Sequence, residues 1–385
     1  MALLTKVIPL YQAQGTGNQS YGGVGFQPKV VLLFGNSVYA IHQATIGNFH
    51  LNGGAAVSSS GRASFAHLMG DNSANSFAKG YATNNKIYAT NWSSTLYTAA
   101  DFVSMDADGF TLNWVTVNAA EVGNPRKIFA LCIGGDDLTD VAVTTFELPT
   151  TTGNHAVTGV GFEADCTLFY VHQYALATSN AAAHCSFGAA KSSSERFAMG
   201  FSEPDNATTS DNNHVQKSDK CVAMPWTNGG SDAMWNEADF VSHDSDGFTL
   251  DWSVANNGGG RYGIAVSMKG GQYKLGVETQ KTSTGTKATT GVGFEPTGLL
   301  AFSVGQTSKT TIGEGAYASI AAAASSKGTF EDTFTGTLGA AITARSPEVG
   351  GSWTAGTGTF TLGGGPAPSA STSNASAWVD MGVAD

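Results

Sequence analysis

Charge is the scarcest property of this chain. Charged side chains make up 13% of its 385 residues, about half the usual fraction of roughly 25%. Basic residues are fewest: 19 Lys and Arg against 30 Asp and Glu leave a net charge of −11. That balance argues against a nucleic-acid groove or an anionic membrane as partner. Long apolar runs are also missing. The longest, Val30-Val31-Leu32-Leu33-Phe34, is far short of the roughly 18 residues a membrane-spanning helix needs, so no membrane insertion is expected. The opening Met1-Ala2-Leu3-Leu4-Thr5-Lys6 has no basic stretch followed by an apolar core, so no secretory signal is expected. Work outside a cell would then require lysis or assembly into a particle. Cysteine is limited to Cys132, Cys166, Cys185 and Cys221, without a C-x-x-C pair, and the expectation is reduced, mostly buried thiols. Helical periodicity is weak throughout; the Ala-rich piece 319–326 offers a turn of helix at most.

Glycine fills the gap, with 49 residues, about twice the usual share of roughly 7%. Hydrophobic residues at 41% supply enough apolar material for packed cores and exclude global disorder. The chain also repeats itself. Gly23-Val24-Gly25-Phe26-Gln27-Pro28 recurs as Gly159-Val160-Gly161-Phe162-Glu163-Ala164 and as Gly291-Val292-Gly293-Phe294-Glu295-Pro296, each five residues after a Thr-Gly-Asn or Thr-Gly-Thr. Each copy runs into a continuous apolar stretch, 30–34, 167–171 and 299–304, which reads as a strand buried on both faces.

A second block, Asp101-Phe102-Val103-Ser104-Met105-Asp106-Ala107-Asp108-Gly109-Phe110-Thr111-Leu112-Asn113-Trp114, returns almost intact as residues 239–252. Phe110, Leu112 and Trp114 alternate with polar residues, as do Phe248, Leu250 and Trp252. That period of two places one face in a core and the other in solvent. With Asp-x-Asp-Gly as the turn, the block is a β-hairpin carrying a core Trp on its second arm. A third block, 128–135, matches 264–271 and closes each repeat with a strand and a Gly-Gly turn. His67 reads as a half-buried strand position.

The third repeat keeps its opening through about Ser326 and then lacks the Asp-x-Asp-Gly hairpin. The expected fold class is all-β, with tandem antiparallel β-sandwich repeats over 1–140 and 141–275. Residues 276–385 form a divergent or incomplete third repeat, or from about 330 the start of another β-domain.

The combination Gly-Val-Gly-Phe-x-Pro, buried strand, Asp-Gly-Phe-Thr-Leu-x-Trp and closing Gly-Gly resembles a β-sandwich repeat of tailed-bacteriophage structural proteins: tail fibre, minor tail and head-decoration proteins. The segment 332–385, with Asp332-Thr333-Phe334, Gly350-Gly351-Ser352-Trp353-Thr354 and Gly358-Thr359-Phe360-Thr361-Leu362, resembles the opening of a concanavalin-like (laminin-G-like) lectin fold. The resemblance implies a virion surface protein, assembled in the host cytoplasm and displayed on the phage tail or capsid exterior. It implies other virion proteins as partners, a homo-oligomer such as a trimer, and contact with a host surface glycan. A tail-fibre or minor-tail position contributing to host adhesion is the first reading. A capsid decoration protein or head fibre is the second. A free carbohydrate-binding adhesin or a glycan depolymerase is the rival of another class.

Candidate chemistry is sparse. Asp106, Asp108, Asp244 and Asp246 read as turn residues, with calcium ligation as the alternative; a calcium loop wants 6–8 oxygens, and each turn shows two carboxylates. No histidine pair has H-E-x-x-H spacing and no G-x-S-x-G elbow appears. The expectation is no enzyme, no catalytic residue, no cofactor and no resident metal. Trp92, Tyr97, Trp226 and Trp235 lie in the variable regions before the Asp-Phe-Val-Ser block. They are candidates for stacking on a sugar, against the alternative that they pack on their own sandwich or on a neighbouring subunit.

Overall fold

The structure is a computed structural model that describes residues 3–36, 49–70, 75–92, 95–119, 122, 125–208, 212–226, 233–257, 259–278, 283–304, 312–314, 318–325, 360–362 and 368–370. The chain is all-β, and every described strand pairing is antiparallel. It divides into two compact bodies, Leu3–Ala324 and Ser325–Asp385. All three repeat openings fall in the first.

Repeat 1 supplies β1 (Leu4–Tyr11), β2 (Gly17–Gly22), β3 (Pro28–Asn36), β4 (Phe49–Ala56), β5 (Arg62–Gly70), β6 (Phe77–Thr83), β7 (Tyr88–Trp92), β8 (Thr95–Asp106), β9 (Gly109–Thr116) and β10 (Lys127–Gly134). Repeat 2 supplies β11 (Asp140–Glu147), β12 (Gly153–Thr158), β13 (Cys166–His172), β14 (Asn180–Ala181), β15 (Ala183–Ser192), β16 (Glu195–Glu203), β17 (Asn213–Lys217), β18 (Val222–Trp226), β19 (Ala233–Asp244), β20 (Gly247–Ala255) and β21 (Tyr262–Lys269). Repeat 3 contributes β22 (Gly298–Ser303), β23 (Gly313–Glu314) and β24 (Ser319–Ala324). In the second body, β25 (Phe360–Leu362) pairs with β26 (Pro368–Ala370). The rest of the lectin-like segment, including Asp332, Phe334 and Trp353, lies outside the described residues.

Repeats 1 and 2 have the same topology. A seven-stranded sheet β1-β10-β3-β4-β5-β6-β14 faces a four-stranded sheet β2-β9-β8-β7. Its counterpart β11-β21-β13-β15-β16-β17-β23 faces β12-β20-β19-β18. The last strand of each large sheet comes from the following repeat: β14 closes on β6, and β23 closes on β17.

The period-two pattern explains the layers. In β3, Val31 and Leu33 point at the hairpin sheet and join Phe110, Leu112 and Trp114 in one core. Phe169 and Val171 of β13 do the same with Phe248, Leu250 and Trp252. Val30 and Leu32 point the other way, into a third core that belongs to no single repeat. There they meet Cys166, Tyr170, Phe187 and Ile264 of repeat 2 and Val304 of repeat 3, with Leu300, Phe302 and Ile320 packed against them. Phe187 and Phe302 stack at 5.5 Å between centroids, and β24 touches β1 and β10. All three repeats therefore meet at this core, around a narrow void of about 60 Å³.

Three expectations need correction. The run 299–304 is not buried on both faces: Leu299 is 61% exposed, because no described strand covers the outer face of β22. The Ala-rich piece is a strand rather than a helical turn, because β24 finds a ladder partner in β22 and turns Ile320 and Ala322 to the shared core. His67 is fully buried, not half-buried, because repeat 2 seals its face of β5. The four cysteines are free and buried, and burial pushes the Cys132 and Cys166 thiols up to about 12.

Two glycines at equivalent positions show how closely the layers approach. A Cβ on Gly54 would run into the Ile87 carbonyl, and one on Gly188 into the Cys221 carbonyl. Gly188→Ala should therefore destabilise the protein by about 1–3 kcal/mol, the usual cost of overpacking, as read by urea denaturation.

The shared core also holds polar groups. The His67 Nε2 and Tyr170 Oη atoms lie 2.5 Å apart, across the repeat 1–repeat 2 boundary. His172 Nδ1 accepts the Tyr174 amide at 3.1 Å, and the Tyr174 hydroxyl donates to the Ala182 carbonyl at 2.9 Å. Desolvation lowers His67, His172 and His184 from 6.5 to about 3, so each is neutral in the folded protein while the unfolded chain protonates below pH 6.5. The stability they contribute is complete above that value and is lost as pH falls from 6.5 towards 3. The unfolding free energy should decline across this window. His184→Phe should make the decline shallower by about 1.4 kcal/mol per pH unit, one proton's worth, between pH 6 and 4.

Candidate functional site

Repeats 1 and 2 each fold around a carboxylate held by glycine amides. Gly23 and Gly25 both have positive φ, +83° and +85°, and Gly159 and Gly161 both have +91°. This aims alternate N–H groups of the Gly-Val-Gly loop at one point, a small anion-binding concavity. Only residues without a Cβ adopt that backbone at little cost. The Asp108 carboxylate occupies the point in repeat 1, accepting from Gly23 at 3.0 Å and Gly25 at 2.5 Å. Asp246 does the same in repeat 2, at 3.1 Å from Gly159 and 2.7 Å from Gly161. The Gly25 and Gly23 amides hold the Asp108 carboxyl below its ordinary value.

The neighbouring aspartates are tied inside their own hairpins. Asp106 accepts the Ser104 and Thr111 hydroxyls at 2.7 Å each, and Asp244 accepts those of Ser242 and Thr249 at the same distance. This places Thr111, nominally on the solvent face of β9, at only 8% exposure. The four acids considered for calcium thus act as acceptors that fasten turns. Among the described residues no group of three or more His, Cys, Asp or Glu is arranged to hold a metal ion.

The aromatic candidates divide. Trp226 and Trp235 come together because β18 and β19 pair at Trp226↔Ala233. Their ring centroids are 4.2 Å apart at 32°. His184 stacks on Trp226 at 4.5 Å and 22°. Two rings that close to one centroid occupy its opposite faces, so Trp226 is covered on both sides. Stacking on a ligand falls to Trp235, which is half-buried at the outer end of the row. Tyr97 is half-buried on β8. Trp92 ends β7, opposite Thr95, and its side chain lies outside the described residues.

Sequence reasoning missed a cleft of about 700 Å³ between repeat 2 and the opening of repeat 3. Its walls carry Lys191, Glu195, His243 and Lys274 on one side and Val292 to Phe294 on the other. Glu195 is held by Lys274 at 3.5 Å and by the Leu275 amide at 2.7 Å. Asp165, also in the wall, accepts the Gly270 amide at 2.7 Å. The His243 ring lies 3.1 Å from the Thr167 hydroxyl. These groups suit a polar ligand rich in hydroxyls. The only sequence signal for the cleft is that the Ser-rich turn 192–194 and the third Gly-Val-Gly both flank it.

Asp246→Ala should lower the melting temperature by a few degrees, because two glycine amides lose their acceptor, while calcium or EDTA should leave the wild-type transition in place. Because the folded value of Asp108 is depressed, its contribution is present above the unfolded carboxyl value near 3.8 and is lost as pH falls through the lower folded one. Asp108→Ala should remove that acid-limb dependence in a pH series of melting curves.

No protein-family model matches the chain, and no curated protein matches it.

Proposed function

We propose that this chain is a structural protein of a tailed-phage virion surface, a tail-fibre or minor-tail component that contributes to host adhesion. The observation that carries this reading is the fusion of three motif-bearing repeats around one apolar core. Three repeats that bury a common face hold their sheets in one continuous body, which suits a projecting element. The phage resemblance of the Gly-Val-Gly-Phe and Asp-Gly-Phe-Thr-Leu-x-Trp blocks supports the virion assignment. The polar cleft beside Lys191 and Lys274 and the outer face of Trp235 supply surfaces a host glycan would use, since hydroxyl-rich sugars combine hydrogen bonding with an apolar ring face.

Immunogold electron microscopy of purified particles, with an antibody to this chain, tests the proposal. Label at the tail or its fibres is the expected result. Label on the head would replace the tail position by a decoration or head-fibre role. Particles without label would overturn the virion reading and leave a free adhesin.

A further inference from the structure

Repeats 1 and 2 share one fold, so a position at which their chemistry differs is one the fold itself leaves free. The Ser-rich turn beside the cleft is common to both. Ser58 and Ser60 hold it in repeat 1 with hydroxyls 3.3 Å apart, and Ser192 and Ser194 in repeat 2 at 3.1 Å. Arg62 and Arg196 each donate to the carbonyl three residues earlier. These serines are structural. The same alignment sets Lys191 where repeat 1 has Val57, and Glu195 where it has Gly61. On the hairpin, the matching Ser104–Asp106 and Ser242–Asp244 bonds set His243 against Met105. The ladders set Thr167 and Ser267 against Val31 and Cys132.

Three of these exchanges form one chain of polar groups. His243 Nε2 lies 3.1 Å from Thr167 Oγ1, which lies 3.1 Å from Ser267 Oγ. Thr167 and Ser267 are fully buried, as are Val31 and Cys132 in repeat 1. A hydroxyl in a core costs free energy unless it is hydrogen-bonded, and the sister repeat packs the same spot without one. The two hydroxyls are thus a support that fixes the His243 ring from behind. Desolvation lowers the His243 pKa, so the ring is neutral at neutral pH.

The cleft joins both signs of charge to apolar surface. Glu195 lies between Lys191 at 3.8 Å and Lys274 at 3.5 Å. Glu163 and Asp165 add two further carboxylates to the wall, where repeat 1 has Gln27 and a Lys29 tied to the Leu138 carbonyl at 2.6 Å. Two lysines against three carboxylates offer an anion little net attraction. Val241, 40% exposed, and Phe294 line the same space. Donors, acceptors and apolar surface together match a ring with hydroxyls on its rim and C–H groups on its face. The volume of about 700 Å³ is within the roughly 300–1,000 Å³ of small-molecule sites.

We propose that this cleft is a binding site for neutral saccharides, particular to repeat 2, in which Lys191, Glu195 and His243 bond the sugar hydroxyls while Val241 and Phe294 meet the apolar ring face. The inference deepens the glycan part of the proposed function and rests on it; the virion part is separate.

The test applies the full chain to an array of neutral, amino and acidic oligosaccharides. Binding to neutral members is expected. Lys191→Val and His243→Met each install the residue that repeat 1 already folds with. Melting curves should therefore stay close to wild type, while array binding falls at least tenfold in each variant. Silence across the array, binding confined to charged members, or binding that ignores both substitutions would overturn the proposal. Antibody label on particles with a silent array would strike the cleft alone. Array binding without particle label would keep the cleft and remove the virion reading.

Discussion

The inward faces of β3, β13 and β22 bury one another. Each strand carries a continuous apolar run, 30–34, 168–171 and 299–302, and a strand shows alternate residues to opposite sides. One side is sealed by the repeat's own hairpin sheet in repeats 1 and 2. The other side would meet water if a repeat stood alone. Leu32, Tyr170 and Phe302 instead meet around the shared core. At about 25 cal/mol per Å² of apolar surface, this contact outweighs what any loop or surface ion pair contributes. The features that look odd in one repeat follow from it: glycines where layers press together, and strands that cross to close a neighbour's sheet.

The polar groups in that core belong to the same constraint. His67 from repeat 1 faces Tyr170 from repeat 2, and Tyr174 lies against Gly80, where any Cβ would strike its ring. A buried polar pair gains only when both partners are in place. A sliding register between the two large sheets would separate them. Apolar contact supplies most of the attraction, and the histidine–tyrosine contact selects one alignment from the many an oily face allows.

Much of the fold could be read from residue order, and the reasons differ by element. The hairpins were legible because Phe110-x-Leu112-x-Trp114 fixes both period and facing, and because the same block returns in repeat 2. The buried strands at 30–34 and 167–171 were legible from unbroken apolarity. The repeat-to-repeat core was not, since an apolar side chain carries no label saying which sheet it will meet. His67 was misjudged for that reason. The Ala-rich 319–324 was misjudged because alanine favours helix locally, and pairing with β22 overrides that preference. The Asp108 latch was hidden because its partners are more than 80 residues earlier in the chain, although the fixed Gly-x-Gly spacing marked their importance. Trp226 and Trp235 were chosen as separate candidates, and only the β18–β19 register makes them one row, shielding the first.

The crossing strands have a consequence for how the chain is made. The edge of the first large sheet, at β6, is closed by β14, which emerges from the ribosome only after the whole of the first hairpin and the strand β13. The second sheet waits in the same way for β23. An open edge is a template for pairing with other chains, so each repeat spends part of its synthesis with an exposed, adhesive rim. Closure of each large sheet therefore waits on a strand that is made as part of the following repeat. Repeats of this kind cannot be shuffled or shortened one at a time without leaving the preceding one unfinished.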